Sequence, residues 1–586
     1  MSEPAYKEIA RRKKAQLESK IPQSWRLPAQ WIPAGTLSAE ESITNTRSYD
    51  QSDITDIPRR CGLLTVRELE ITETWDVKGL LAEMANGELS CKDRAAVAHQ
   101  LTRCLTEPLF DDAMKRAEKL DDHFKRTGTT YGPLHGLPIS VKDTFDIEGV
   151  DSTTGIASLA FKPAKQNAPL VDLLYSLGAV IVGKTNVPQT LGALDSVNNL
   201  FGRTLNPLNR KLTAGGSSGG EAVMVLMRGS MVGIGTDVGG SIRVPAMCEG
   251  LYGFKPSVGR VPYGGQESCA FPGRSRTSIQ AVAGPLAKSM DDIDAVMKEI
   301  VPRSALWGED CIPGQWAPQT PGKSSKFTVG ILRSDGRIPP LPPIAKVLEE
   351  VAQTLRNTTG IEVVDIPVPP ELGECQAVAN ALMGADGGQH MMNLLESTSE
   401  ELIPWLKGRV KRGTPKTIDE LAKIQAKRSR IERQLMKMWT VSGTDKTRRV
   451  DAIIHPVAPH PVPEIDRYNA VGYTSSFVLV DYPAGNLPVR SFTERDLEAG
   501  REMDSKVLSS WDKRNRELCT CPFISQANNF SNPCLGNSST VNRRVYLNSP
   551  LSIQVLTPRL HDYELYYAMN IIDKALKDGK RVSSQL

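Results

Sequence analysis

Two glycine-framed serines, twenty-four residues apart, constrain this chain more than its bulk composition does. The first stands in Gly215–Gly216–Ser217–Ser218–Gly219–Gly220–Glu221, the second in Gly235–Thr236–Asp237–Val238–Gly239–Gly240–Ser241–Ile242–Arg243. Between them the run from Ala222 to Met227 reads as a buried helix, and the run from Met231 to Gly235 as a buried strand. A loop, a helix, a strand and a tight turn in that order make an α/β unit with both serines at element ends. Ser218 and Glu221 have capping-box spacing, so Ser218 is expected to cap the helix, worth roughly 1 kcal/mol. That leaves Ser217 the freer for chemistry. Gly239 and Gly240 permit a turn that aims several N–H groups at one point, and Ser241 stands at its edge.

Other readings of the first loop fit less well. G-x-S-x-G at Ser218 suggests a nucleophile elbow, yet the upstream stretch from Arg203 to Lys211 is polar and broken by Pro207. A phosphate-binding loop ends in Gly-Lys-Ser/Thr, and this one ends in Gly-Gly-Glu.

A serine nucleophile needs a base. The seven histidines are His99, His123, His135, His390, His455, His460 and His561. His455, four residues after Asp451, best suits a Ser…Asp…His order, although Ile453–Ile454–His455–Pro456 reads as a strand end. Alternatively, the apolar run from Gly136 to Val141 delivers Lys142 at a strand end. Burial favours the neutral amine that a lysine base requires. The residues alone leave both routes open.

Several further passages carry a family resemblance. They are Leu134–His135–Gly136–Leu137–Pro138–Ile139–Ser140–Val141–Lys142–Asp143, Val182–Gly183–Lys184–Thr185–Asn186–Val187–Pro188–Gln189, and Phe201–Gly202–Arg203–Thr204–Leu205–Asn206–Pro207. Gly253–Phe254–Lys255–Pro256–Ser257 and Val282–Ala283–Gly284–Pro285–Leu286–Ala287 follow the serines. Over roughly residues 70 to 570 the chain resembles the amidase signature family, and within it the fungal acetamidase-type amidases.

The resemblance implies hydrolysis of carboxylic acid amides to carboxylate and ammonia or amine through an acyl-enzyme. It assigns Ser241 as nucleophile, Ser217 as the bridging serine after a cis Gly216–Ser217 bond, and Lys142 as base and acid. The N–H groups of Val238, Gly239, Gly240 and Ser241 would hold the oxyanion. Asp237 and Arg243 are expected to pair with each other beside that turn, and Ser218 to hydrogen-bond Lys142 as well as cap. No cofactor or metal is implied. The chain departs from the family at Asn548 and Ser552, where glycine is more usual. It also carries Leu191–Gly192–Ala193–Leu194 where relatives carry bulkier residues. A roomier acyl pocket, lined by Leu191, Gly192 and Leu194, is the expectation.

Apolar strands at 136–142, 179–182, 231–236, 327–332, 361–365 and 450–455 alternate with helices at 168–177 and 342–356. This predicts an α/β fold, a mixed, mostly parallel β-sheet covered by helices on both faces. Residues 1–75 read as a helical extension, with Trp25 and Trp31 available to pack on the catalytic domain at 76–586. A polar insertion spans 495–545.

Lysine and arginine total 71 against 67 acidic residues, a net charge of +4 that is too mild for a nucleic-acid partner. The basic stretch 407–437 contains Asp419, Glu420 and Glu432 and no interleaved aromatics. It reads as a solvated helical pair rather than the surface of a subunit acting on misacylated tRNA. The ten cysteines are scattered, and Cys519–Thr520–Cys521 is too tight for a zinc pair. No export signal, peroxisomal tail or membrane span is visible, so the expectation is a cytoplasmic enzyme acting on a small amide, with a homodimer allowed. The glycosylation triplets at Asn357, Asn529 and Asn537 are then coincidental. A non-catalytic binding descendant would have no use for Lys142, Ser217 and Ser241 together.

Overall fold

The computed structural model describes residues 3–85, 93–271, 273, 277–318, 326–441, 448–468, 471–498, 506–518 and 543–583. Its strands in chain order are β1 (Leu105–Pro108), β2 (Pro138–Lys142), β3 (Val180–Thr185), the short pair β4 (Val197–Asn198) and β5 (Gly202–Arg203), β6 (Val232–Asp237), β7 (Tyr252–Lys255), β8 (Val282–Ala287), β9 (Phe327–Ile331), β10 (Ile361–Asp365), β11 (Ala452–Pro456), β12 (Ala484–Ser491) and β13 (Pro550–Leu556). Eleven of them form one mixed sheet in the order β1-β3-β2-β6-β8-β7-β12-β13-β11-β9-β10. Pairing is parallel within β3-β2-β6 and within β11-β9-β10. Antiparallel pairs join these blocks through β8, β7, β12 and β13 and add β1 at the edge.

Strands β2 and β6 run parallel with Ser140 opposite Gly233 and Val141 opposite Ile234, so their carboxyl ends, Lys142 and Asp237, emerge on the same side of the sheet. The crevice outside such ends is where ligands bind in α/β sheets. The helix Gly219–Leu226 is buried along seven of its eight residues, from Gly219 to Val225. A helix apolar on all sides has no solvent face to offer and belongs in the interior.

Strands β8 and β12 were not legible as strands because each contains proline. Pro285 lies opposite Ile234 of β6, and the ladder between β8 and β7 covers only Ala287 and Leu286, ending before it. Pro488 sits at a register shift between β12 and β13. Proline lacks the N–H that a ladder uses, so such positions are tolerated only where pairing stops or slips.

The helix Ala5–Ser19 buries Tyr6, Ala10, Lys13 and Leu17, the stripe expected at helical spacing. Tyr6, Ala10 and Leu17 share a core cluster with Phe110, Leu200 and Phe201, against which Trp25 and Trp31 also pack. Trp25 meets Phe110 edge to face with ring centroids 5.4 Å apart. Lys13 is buried between carboxylates, 2.5 Å from Asp151 and paired with Glu107, which also takes Lys20 at 2.6 Å. Burial alone would lower the Lys13 ammonium, but Glu107 and Asp151 more than offset it and hold it above the usual lysine range.

The basic stretch departs from expectation. It contains one long helix, Ile418–Leu435, capped by a Thr417–Glu420 box, and not a helical pair. Gly408, Gly413 and Pro415 keep the preceding segment out of helix, consistent with their low helix propensity. Lys427 and Arg430 pair with Glu374 and Arg428 pairs with Glu432, so carboxylates neutralise part of this basic surface. Much of 495–545 lies outside the described residues, as do Cys519–Thr520–Cys521, Asn529 and Asn537. The described part includes the helix Ser510–Arg516. Among the described residues no helix is long and apolar enough to cross a membrane.

Replacing Lys13 by Met strips the cation from a buried site. The expected cost is on the order of 3–5 kcal/mol, the usual result of breaking one side of a buried pair. It should appear as a lower thermal midpoint, with the helix Ala5–Ser19 first to gain amide exchange. An unchanged midpoint would show that the pair is not an anchor.

Candidate active site

Lys142 ends β2 with no solvent exposure. Its Nζ lies 2.7 Å from Ser217 Oγ and 2.8 Å from Thr236 Oγ1, in donating geometry to both hydroxyls. Among the described residues it forms no ion pair. Burial pulls the amine down to about 7, against the opposing pull of Asp237, Glu221 and Asp143. A strand-end lysine surrounded by hydroxyls is therefore available as a neutral base near neutral pH.

The Gly216–Ser217 peptide is cis. A Cβ on Gly216 would lie 2.7 Å from the amide nitrogen of Asp195 and 2.8 Å from the carbonyl of Ala193, so only glycine fits against that segment. Ser217 Oγ accepts from Lys142 and donates to no described residue.

The turn after β6 is built around the Asp237 carboxylate. Oδ1 accepts from Gly240 N–H at 2.8 Å and Arg243 Nη2 at 3.0 Å; Oδ2 accepts from Ile242 N–H at 3.2 Å and Arg243 Nε at 3.0 Å. Burial alone would raise this carboxyl, but Arg243 holds it below the usual range. Arg243 Nη1 in turn donates to Gln554 on β13 at 3.0 Å. The expected Asp237–Arg243 pairing is present. The oxyanion assignment needs one correction: the Gly240 N–H is already committed to Asp237. The N–H groups of Val238, Gly239 and Ser241 have no acceptor among the described residues. Gly240 has φ +130°, and a Cβ there would collide with Thr474 Oγ1, while a Cβ on Gly239 would meet nothing within 4 Å. Open space thus lies over Gly239. Thr474 donates to the Gly239 carbonyl at 2.6 Å and fixes the turn from the helix Gly472–Leu479.

Ser241 is 7 % exposed, and its hydroxyl makes no hydrogen bond to a described residue. Ser218 departs from expectation twice. It makes no side-chain cap and does not bond Lys142. Instead its Oγ accepts from Thr236 N–H and donates to the Thr236 carbonyl, both at 3.3 Å, pinning the helix start to β6. The orphan amides of the helix are taken elsewhere, Gly219 N–H by Ser196 Oγ and Gly220 N–H by the Asn186 carbonyl. Glu221 accordingly caps nothing. Its carboxyl is buried between Ser140 Oγ at 2.5 Å and Thr185 Oγ1 at 2.6 Å, and burial pushes it up to about 8 against those hydroxyls and Lys142.

The histidine route fails on geometry. His455 Nδ1 faces the Pro456 carbonyl at 2.6 Å, its ring packs on Tyr473 and Phe477, and burial takes it down to about 3. Asp451 accepts from Thr328 N–H at 2.7 Å instead of orienting it. Of the expected pocket residues, Leu194 belongs to the segment packed on Gly216, and Leu191 is half-buried. Gly192 is exposed, and a Cβ there would meet Leu406 at 3.4 Å. Asn548 has φ +66°, a conformation that glycine adopts freely and asparagine tolerates, which accounts for the substitution at that position. Among the described residues no group of His, Cys, Asp and Glu could hold a metal ion.

Thr236 and Thr474 were missed by the sequence reading. Thr236 left a signal, a polar residue near the end of a glycine-rich apolar strand; Thr474 left none, being distant in sequence and outside any motif.

Comparison with known proteins shows the family. The profile of the amidase family matches residues 89–566. An amidase of Gibberella zeae is 33% identical, covering 98% of this chain and 100% of that protein. An acetamidase of Aspergillus oryzae is 32% identical over 87% of this chain and 93% of its own length. Among solved structures, fatty acid amide hydrolase superposes with a TM-score of 0.81 at 27% identity, covering 97% of this chain and 95% of that one. The chain belongs to the amidase family and is a hydrolase acting on amides.

Proposed function

We propose that Lys142, Ser217 and Ser241 hydrolyse carboxylic acid amides through an acyl-enzyme. The observation that carries this reading is the buried, unpaired Lys142 amine 2.7 Å from Ser217. Neutral Lys142 takes the Ser217 proton as Ser217 takes that of Ser241, and Ser241 Oγ adds to the amide carbon. The N–H groups of Val238, Gly239 and Ser241 receive the oxyanion. As the C–N bond breaks, the proton returns from the Lys142 ammonium through Ser217 to the departing nitrogen. Water then adds to the ester with the same relay, releasing the carboxylate and restoring Ser241.

Replacing Ser241 by Ala should abolish labelling by a fluorophosphonate and lower kcat/KM by roughly a thousandfold or more. Lys142→Ala should do the same to turnover, and Ser217→Ala should cost about 10²–10⁴, the range for a proton-transfer group. Residual activity near wild type in Ser241→Ala would overturn the nucleophile.

Only the neutral amine accepts a proton, and the neutral fraction grows as pH rises through the lowered value of about 7. The rate should therefore climb through neutrality and fall roughly tenfold per pH unit well below it. A kcat/KM that stays flat between about pH 5 and 8 would exclude Lys142 as the base.

The two relatives' names point to different acyl groups, one to acetamide and one to fatty acid amides. The exposed Gly192 and the half-buried Leu191 and Leu194 favour the larger. Hexanamide and phenylacetamide should be hydrolysed with higher kcat/KM than acetamide; a clear preference for acetamide would refute the roomier pocket.

A further inference from the structure

Beneath Lys142 lies a carboxyl group that the relay does not use. Ser140 precedes Lys142 by two residues on β2, so their side chains share one face of the sheet. Thr185 on β3 is the partner of Lys142 in register and shares that face too. The Glu221 carboxyl is held by Ser140 Oγ at 2.5 Å and Thr185 Oγ1 at 2.6 Å, which seats it on the Lys142 side of the sheet. The space comes from Gly233, the residue opposite Ser140 on β6, where a Cβ would collide with Glu221 Oε2.

Three carboxyl groups act on Lys142: Asp237, Glu221 and Asp143. Asp237 is neutralised by Arg243. Asp143 is occupied by Thr106 Oγ1, by Thr153 through its N–H and Oγ1, and by Thr154 N–H. Glu221 has neither arrangement. Its partners are hydroxyls, among the described residues it makes no ion pair, and the titratable groups that feel it are Lys142 and the buried Cys104. Ser140 Oγ lies against Oε2 and Thr185 Oγ1 against Oε1, and Ser230 Oγ, 2.8 Å from Ser140, gives the Ser140 hydroxyl an acceptor of its own, which frees Ser140 to accept from Oε2–H when the acid carries its proton.

We propose that Glu221 is a positioning residue for the lysine, held as a neutral carboxylic acid by Ser140 and Thr185 so that the floor under Lys142 carries no negative charge. One proton decides the matter. With it on Glu221, Lys142 is a free amine; moved to Lys142, it leaves a buried ammonium–carboxylate pair in which the base is lost. The inference rests on the reading of Lys142 as base, and its tests separate the two.

Glu221→Gln keeps the shape and a hydrogen-bonding amide but cannot take a negative charge. Its kcat/KM at optimum should stay within about tenfold of wild type, and the acidic limb should stay within roughly half a pH unit of the wild-type position, because a neutral acid and a neutral amide place no net charge beside the lysine. Infrared difference spectra of wild type against this variant at about pH 6 should show the carbonyl stretch of a protonated carboxylic acid, a signal that needs no turnover. Absence of that band, or an acidic limb displaced downward by more than roughly half a pH unit in the variant, the mark of a carboxylate that had been favouring the ammonium, would overturn the proposal. If Lys142→Ala remained active while the band was present, the base reading would fail and the neutral acid would stand. Should Glu221→Gln not fold, Ser140→Ala removes one partner and leaves the carboxyl; the carbonyl stretch of the acid should shift in frequency against wild type, and an unshifted band would count against the proposal.

Discussion

Lys142 is buried at the end of β2 with hydroxyls as its hydrogen-bond partners, and the rest of the site follows from that placement. A buried ammonium without an ion pair is far costlier than a buried amine. The fold therefore selects the form that can accept a proton. Lys13 shows the opposite solution in the same molecule. Also buried, it lies between Glu107 and Asp151 and remains a cation, useful for holding a helix and useless as a base. What separates an anchored ammonium from a buried amine here is the chemistry of the nearest oxygen atoms.

The Asp237–Arg243 pair serves a different end. Buried pairs of this kind contribute little net stability, since desolvation offsets most of the attraction. Its value is geometric. Four donors converge on one carboxylate and close the turn after β6. Arg243 also reaches Gln554, whose Nε2 donates to the carbonyls of Pro456 and Tyr473. Through that side chain the turn is tied to β13, to β11 and to the helix that carries Thr474.

The sequence made the catalytic geometry legible where residues are close along the chain and illegible where they meet from afar. The strand ending in Lys142, the helix after Ser218, β6 and the pairing of Asp237 with Arg243 all follow from local pattern. Capping-box spacing misled because it registers residue types and not where backbone amides find acceptors. Ser196 and Asn186, more than twenty residues upstream, take the amides of Gly219 and Gly220 at the start of that helix. Glu221 did leave a trace, a lone charge at the head of an otherwise apolar buried helix. The prolines of β8 and β12 hid strands whose ladders are interrupted where those prolines stand.

The position of β13 bears on how the molecule is assembled during synthesis. This strand is the last of the sheet in sequence, yet it lies between β12 and β11, antiparallel to both. The blocks on either side can each begin to pair while the chain is still being made. They cannot become one sheet until residues 550–556 have left the ribosome and slipped between them. Until then β12 and β11 present open edges of the kind that recruit foreign strands. Because Gln554 arrives with the same strand, the Arg243 side of the turn after β6 is also completed only at that late step.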